Sequence, residues 1–302
     1  MYYFLALLTG VLISVMVAFN GGLTKQYGIY SATVIIHIAG LVLITLLTLV
    51  KKERPFSKRN AWFLYLGGVI GVMTTVFNNL SFGRISVSAI LALGLFGQSA
   101  AGLVIDQYGL LSMPRHPFIK RKIIGLLLIL GGIASMISSF ETAAVIVSFA
   151  AGVTIVVSRT LNARLADLTS VRISTFYNYL IGLIMSVPVL IILGGNEPSF
   201  AGFTLSADWY IYFGGILGVC VVVLSNITVM RVPAFYLTLL IFIGQVFSGV
   251  MIDVIISEEL SYRNIIGGVL VAAGLCVNLL FDKRKEVGRQ SGNQPPQSGE
   301  TQ

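Results

Sequence analysis

Two stretches of the chain, FGQSAAGLVIDQYG at 96–109 and IGQVFSGVMIDVII at 243–256, carry the same polar residues at the same spacing. Each sets a glutamine, then a glycine four residues on and an aspartate eight residues on, among small or apolar side chains. Positions i, i+4 and i+8 share a helix face, so Gln98, Gly102 and Asp106 form one stripe and Gln245, Gly249 and Asp253 a second. An amide inside an apolar segment is costly unless it finds hydrogen-bond partners or borders water. Gln98 and Gln245 therefore either bond helices to one another or line a wet cavity that binds a solute, and their symmetric placement favours the cavity. Asp106 and Asp253 fall at the ends of their segments, where a carboxylate is easily hydrated. A structural or gating role suits them better than direct binding.

Other polar residues repeat in the same way. Asn79 with Arg84, and Asn226 with Arg231, flank short links between apolar segments, while Asn20 and Asn162 stand near the ends of two others. Helix capping is the plain reading of these asparagines; a place beside a bound solute is the other, with the two arginines assigned to gating. His37 stands alone in an apolar run and reads as a hydrogen-bonded packing residue, not a proton carrier. No G-x-S-x-G, H-E-x-x-H or phosphate-cradling glycine motif is present. His37 and His116 lie far apart, with no cluster of metal-type ligands around them. No catalytic residue, metal site or cofactor is expected, and the chain does not read as an enzyme.

The elements that must position these residues follow from composition. Hydrophobic residues make up 56% of the chain and charged residues 11%, with a mean hydropathy of +0.91. A soluble domain carries about a quarter charged residues, so this chain cannot solvate its own surface. Ten apolar runs approach the roughly 20 residues needed to cross a bilayer: about 2–20, 31–50, 61–80, 86–106, 123–140, 142–161, 173–194, 209–230, 234–256 and 264–281. The first lacks a basic leader and a cleavage pattern and reads as a retained helix. Cys220 and Cys276 fall within spans and read as thiols, not a disulfide. Residues 282–302 read as a disordered cytoplasmic tail.

The net charge of +8 reflects topology, not a nucleic-acid partner. With the N-terminus cytoplasmic, 17 of the 20 Lys and Arg residues fall on the cytoplasmic side, leaving Lys25, Arg84 and Arg263 outside. Both termini are therefore expected to be cytoplasmic.

The chain is also duplicated. Shifted by 147, residues 62–106 match 209–253 at 15 of 45 positions; on either side the offset is 142, pairing Gly10 with Gly152, Asn20 with Asn162 and Gly40 with Gly182. Residues 1–140 and 141–281 thus form two five-span units. Five is odd, so the second enters the membrane inverted, and its charge bias is reversed accordingly. The fold expected is an all-α membrane protein of ten transmembrane helices in two inverted five-helix repeats.

The segment GGVIGVMTTVFNNLSFGRIS, followed by LFGQSAAGLVIDQYGLLSMPRHP, resembles the membrane-protein family typified by YdcZ, within the drug/metabolite transporter superfamily. The resemblance covers nearly the whole chain to about residue 281. It implies a central pocket reached alternately from each side, lined by spans three, four, eight and nine and parts of one and six, with Asn79, Gln98, Asn226 and Gln245 near it. The glutamate that the superfamily's small multidrug-exporter branch uses in its first span has no counterpart here, because spans one and six carry no carboxylate. The function expected is a bacterial plasma-membrane transporter or exporter of a small polar or amphipathic metabolite. A flippase for a lipid-linked head group and a non-transporting scaffold are the alternatives. The partners expected are a small-molecule substrate and the lipid bilayer, with a homodimer left open.

Overall fold

A computed structural model describes residues 1–55, 60–110, 122–137, 141–202, 204–229, 231–232, 234–257 and 261–292. Within these, some side chains lie outside the description, among them Asp106 and Asn226 and those of residues 234–236 and 282–292.

Ten helices carry the chain: α1 (Tyr2–Tyr27), α2 (Ile29–Val50), α3 (Leu66–Ser81), α4 (Val87–Tyr108), α5 (Lys122–Met136), α6 (Thr142–Leu168), α7 (Val171–Leu193), α8 (Gly214–Val229), α9 (Ala234–Ser257) and α10 (Tyr262–Gly292). Single 3-10 turns, Trp62–Tyr65 and Trp209–Phe213, lead into α3 and α8 at equivalent places in the two halves. Eight of the apolar segments are long enough to cross a membrane; Ile123–Met136 and Trp209–Ser225 are shorter. Successive helices run in opposite directions, so the bundle has a terminal end, where α1 begins, and a far end, where α1 turns into α2.

Three helix ends depart from the sequence reading. α1 runs on to Tyr27 and α6 to Leu168, so Asn20 and Asn162 lie inside helices and do not cap them. α10 continues to Gly292 where a tail was expected from residue 282, because FDKRKEVGRQ is rich in helix formers, with opposite charges at i,i+3 (Asp282–Lys285, Lys283–Glu286, Glu286–Arg289). Residues 293–302 lie outside the described residues. α4 ends as the sequence suggests, with Gly109 in the left-handed region (φ 65°, ψ 36°).

The two repeats interlock through matching helix pairs. α1 packs on α8 and α9, and α6, its counterpart, packs on α3 and α4; α2 packs on α7 and α5 on α10. Lipid supplies no hydrophobic drive between helices, so they associate by close packing over small residues. At the α1–α9 crossing a Cβ on Gly10 would lie 2.9 Å from Gly244 Cα, and at the α4–α6 crossing one on Gly97 would lie 3.1 Å from Gly152 Cα. These are one contact seen twice, since Gly10 pairs with Gly152 and Gly97 with Gly244 under the repeat offsets. The α2–α7 contact is reciprocal too: His37 packs over Gly182, and its counterpart Tyr179 over Gly40. His37 is buried, with Nδ1 2.7 Å from the Thr33 carbonyl oxygen and its ring edge-on to Tyr179.

We expect Gly10→Val and Gly97→Val each to destabilise the protein by about 2 kcal/mol or more, since a side chain there meets backbone that cannot step aside. Gly102, with nothing within 4 Å of an added Cβ, should accept alanine without loss. Thermal unfolding in detergent checks both outcomes.

Candidate functional site

Gln98 and Gln245 sit at the two central crossings. Gln98 lies 11 residues past the start of α4, about 17 Å along the helix and so near the middle of a hydrocarbon layer about 30 Å thick. Gln98 is half-buried and Gln245 buried, and neither side-chain amide makes a hydrogen bond to a described residue; the Gln245 Oε1 is sequestered without a partner. The backbone is tied instead, with the Ser14 hydroxyl donating to the Gln245 carbonyl at 2.6 Å. Amides that served only to bond helices together would have found partners.

The asparagines act differently from one another. Asn79 is buried near the end of α3, and its amide donates to Thr33 Oγ1 at 3.3 Å and to the Ile29 carbonyl at 3.4 Å. It ties α3 to the start of α2 and does not cap its own helix. Asn162 donates to Asn178 Oδ1 at 2.8 Å and to Ser158 Oγ at 3.3 Å. Its counterpart Asn20 presses on Gly214, as Asn162 presses on Gly67, and leaves Oδ1 buried without a partner. Arg84 and Arg231 are exposed, the latter with its guanidinium 5.6 Å from the Tyr2 ring centroid. The side chains of Asn226 and Asp106 fall outside the described residues.

Asp253 is a cross-helix cap. Its carboxylate accepts from the backbone N–H of Val87 (2.6 Å) and Ser88 (3.0 Å), from the Ser88 hydroxyl (2.5 Å) and from Asn264 (3.2 Å). An acid at the end of α9 thus satisfies the orphan donors that open α4. The same device recurs at residues the sequence did not single out. Glu197, in the loop after α7, accepts from the N–H groups of Tyr30 (2.7 Å) and Ser31 (2.9 Å) at the start of α2. Gly28 makes room for it: φ is +96°, and a Cβ there would lie 2.6 Å from Glu197 Cγ. Glu53, after α2, accepts from the Ser170 hydroxyl (2.6 Å), the N-cap of α7, and is ion-paired with Arg172. Burial pushes the Glu53 carboxyl up, but the Ser170 and Arg172 contacts outweigh it and hold the group below its ordinary range.

The two ends of the bundle differ where the repeats would make them alike. At the far end Val17 of α1 is buried with Val87 and Leu91 of α4, and Phe82, Ile13, Met16 and Ile252 pack around them. Under the repeat offsets Val17 corresponds to Arg159 and Leu91 to Thr238, and both of these are exposed. The far-end cluster is closed by apolar side chains; among its described counterparts Arg159 and Thr238 are exposed, while Ser158 and Ile105 are buried.

The fold and these polar positions define a polytopic membrane protein of two inverted five-helix repeats. The sequence profile of the family DMT_YdcZ, described as "Putative inner membrane exporter, YdcZ", matches twice, over residues 1–135 and 143–277. The chain belongs to that family, whose description points to a transporter and not an enzyme. No curated protein matches it. A solved structure described as "Crystal structure of protein" has the same fold, with a TM-score of 0.64 over 93% of this chain and 98% of that one at 17% identity.

Removing the Asp253 carboxylate should leave the donors of α4 unpaired. We expect Asp253→Ala to lower stability by about 2 kcal/mol or more, read as a drop of several degrees in Tm in detergent. Glu53 has a folded-state pKa below its unfolded value, so its contribution is complete above the ordinary carboxylate range near about 4.3. That contribution is lost as pH falls through the lower folded value. Thermal stability measured from neutral to acid pH should show this loss in the parent protein and a flatter profile in Glu53→Gln.

Proposed function

We propose that the protein is a secondary transporter that exports a small polar or amphipathic metabolite across the cell membrane by alternating access, with both termini cytoplasmic. The observation that carries this reading is the broken symmetry of the two ends. Inverted repeats supply two equivalent gates around one midplane site. Here the gate formed by Val17, Val87 and Leu91 is shut, while the equivalent surface bearing Arg159 and Thr238 is exposed. A carrier open toward the cytoplasm and closed toward the outside would differ at its two ends in this sense, and the exposure of Arg159 and Thr238 supports that reading. The unpaired amides of Gln98 and Gln245, one from each repeat at the central crossings, are the groups available to a solute there. The strong excess of Lys and Arg at the terminal end supports the orientation. Acting by rocking one group of helices against the other, the carrier would close the terminal end over its solute while the Val17 cluster parts.

The test uses proteoliposomes loaded with a pool of small polar metabolites, with export scored by mass spectrometry. The parent protein should deplete a defined member of the pool. Gln98→Leu and Gln245→Leu should lower its export tenfold or more while Tm stays nearly unchanged, because no described partner is orphaned by either change. Variants that export normally would remove the two amides from the site; a parent protein that depletes nothing would remove transport itself.

A further inference from the structure

α6 carries a cation where its repeat partner carries a valine. Arg159 is preceded by 17 residues of α6 and followed by nine, so it belongs to a membrane-crossing helix. The apolar run 142–161 contains it, two residues from its inner end. Its side chain is exposed, yet protein surrounds it closely, which places it at a crevice between helices and not on a convex outer face. The helical register agrees. Arg159 lies two turns from Gly152 on the same face, the face that crosses α4 at Gly97. Beyond that crossing the stripe through Arg159, Ala163 and Asp167 is exposed to the end of the helix.

No described residue neutralises the charge. Arg159 makes no hydrogen bond or ion pair with any described residue. Asp167, on the same stripe, is eight residues away, about 12 Å along the helix and beyond pairing distance. The carboxylates nearest to helix starts, Asp253, Glu197 and Glu53, are all occupied in capping. Near the inner end of a membrane-crossing helix, a cation that no described residue pairs is available to an anion, and arginine offers a planar fork matched to carboxylate and phosphoryl oxygens.

We infer that Arg159 is the anion-recognition residue of the cytoplasm-facing cavity, and that the exported solute carries a carboxylate or phosphoryl group. This inference rests on the transport reading above. Its two parts are geometric: a water-filled space that reaches deeper than Arg159, and a field within it set by that one guanidinium. The far-end counterpart, Val17, is buried and uncharged, so the anion would meet its cation on the loading side and none at the gate through which it leaves.

The experiment places a reporter cysteine at Val156, half-buried and one turn nearer mid-membrane than Arg159, after both native cysteines are replaced by alanine. The protein is held in nanodiscs of zwitterionic lipid. Its reaction is timed with anionic methanethiosulfonate ethylsulfonate and with the cationic trimethylammonium analogue. Both reagents should react, the anionic one preferentially. Arg159→Gln should shift the ratio of the two rates roughly tenfold toward the cation, the effect of removing one charge at about 10 Å in a partly screened site, and Arg159→Lys should keep it. Inorganic phosphate, at ionic strength matched with chloride, should slow the anionic reagent with Arg159 present and not with Arg159→Gln. No reaction with either reagent would show that no water reaches this depth and would overturn the cavity. A ratio unchanged by Arg159→Gln would overturn the anion site while leaving export, measured separately, untouched. Protection by anionic lipid but not by phosphate would assign Arg159 to a lipid headgroup and overturn the solute reading.

Discussion

Everything in this molecule depends on two places where backbone meets backbone with no side chain between. In lipid, apolar side chains gain nothing by leaving the hydrocarbon for one another, so helices are held by dispersion and by the polar contacts that close approach permits. Gly10 against Gly244, and Gly97 against Gly152, supply that approach once in each orientation. Each crossing joins the first helix of one repeat to the fourth helix of the other. The repeats are therefore interleaved, and neither could bury its own faces alone. The crossings also fix where the glutamines stand, since Gln98 and Gln245 directly follow the crossing glycines.

The crossings locate the helices, and the carboxylates fix their ends. A helix start in or near the membrane has several N–H groups without partners. Asp253, Glu197 and, through Ser170, Glu53 answer them from the C-terminal side of another helix. Glu53 and Glu197 do so reciprocally: the segment after α2 reaches the start of α7, and the segment after α7 reaches the start of α2. With His37 and Tyr179 packed over each other's glycines, α2 and α7 are tied at both ends and along their length.

How much of this was legible depended on whether the signal was local. The ten spans and the duplication were plain, because apolar runs of helix length and identical residues at a fixed offset survive any later detail of packing. The ends of α1 and α6 were not. Asn20-Gly-Gly and Asn162 look like stopping points, yet the helices continue because the asparagines face glycines of a neighbouring helix and spend no side-chain bond on their own backbone. Asp253 was noticed as an acid at the end of a span, but its role as a cap for α4 joins residues 166 positions apart, and no local pattern announces such a pair. Glu53 and Glu197 were overlooked for the same reason. Arg159, although inside the apolar run 142–161, was counted only as one more positive charge on the inner side.

The mismatch between Val17 and Arg159 has an energetic meaning for the cycle as a whole. In a perfectly duplicated carrier the two conformers would be mirror states of equal free energy, and each would be populated half the time. Here one gate closes by joining valine to valine and leucine, and the other can close only by enclosing a guanidinium and a threonine hydroxyl. Shutting the second gate on an empty cavity would strand a charge; shutting it around a counter-charge would not. On the proposed transport reading the empty protein would rest with its loading side open, and cargo itself would supply the compensation that lets the cycle turn.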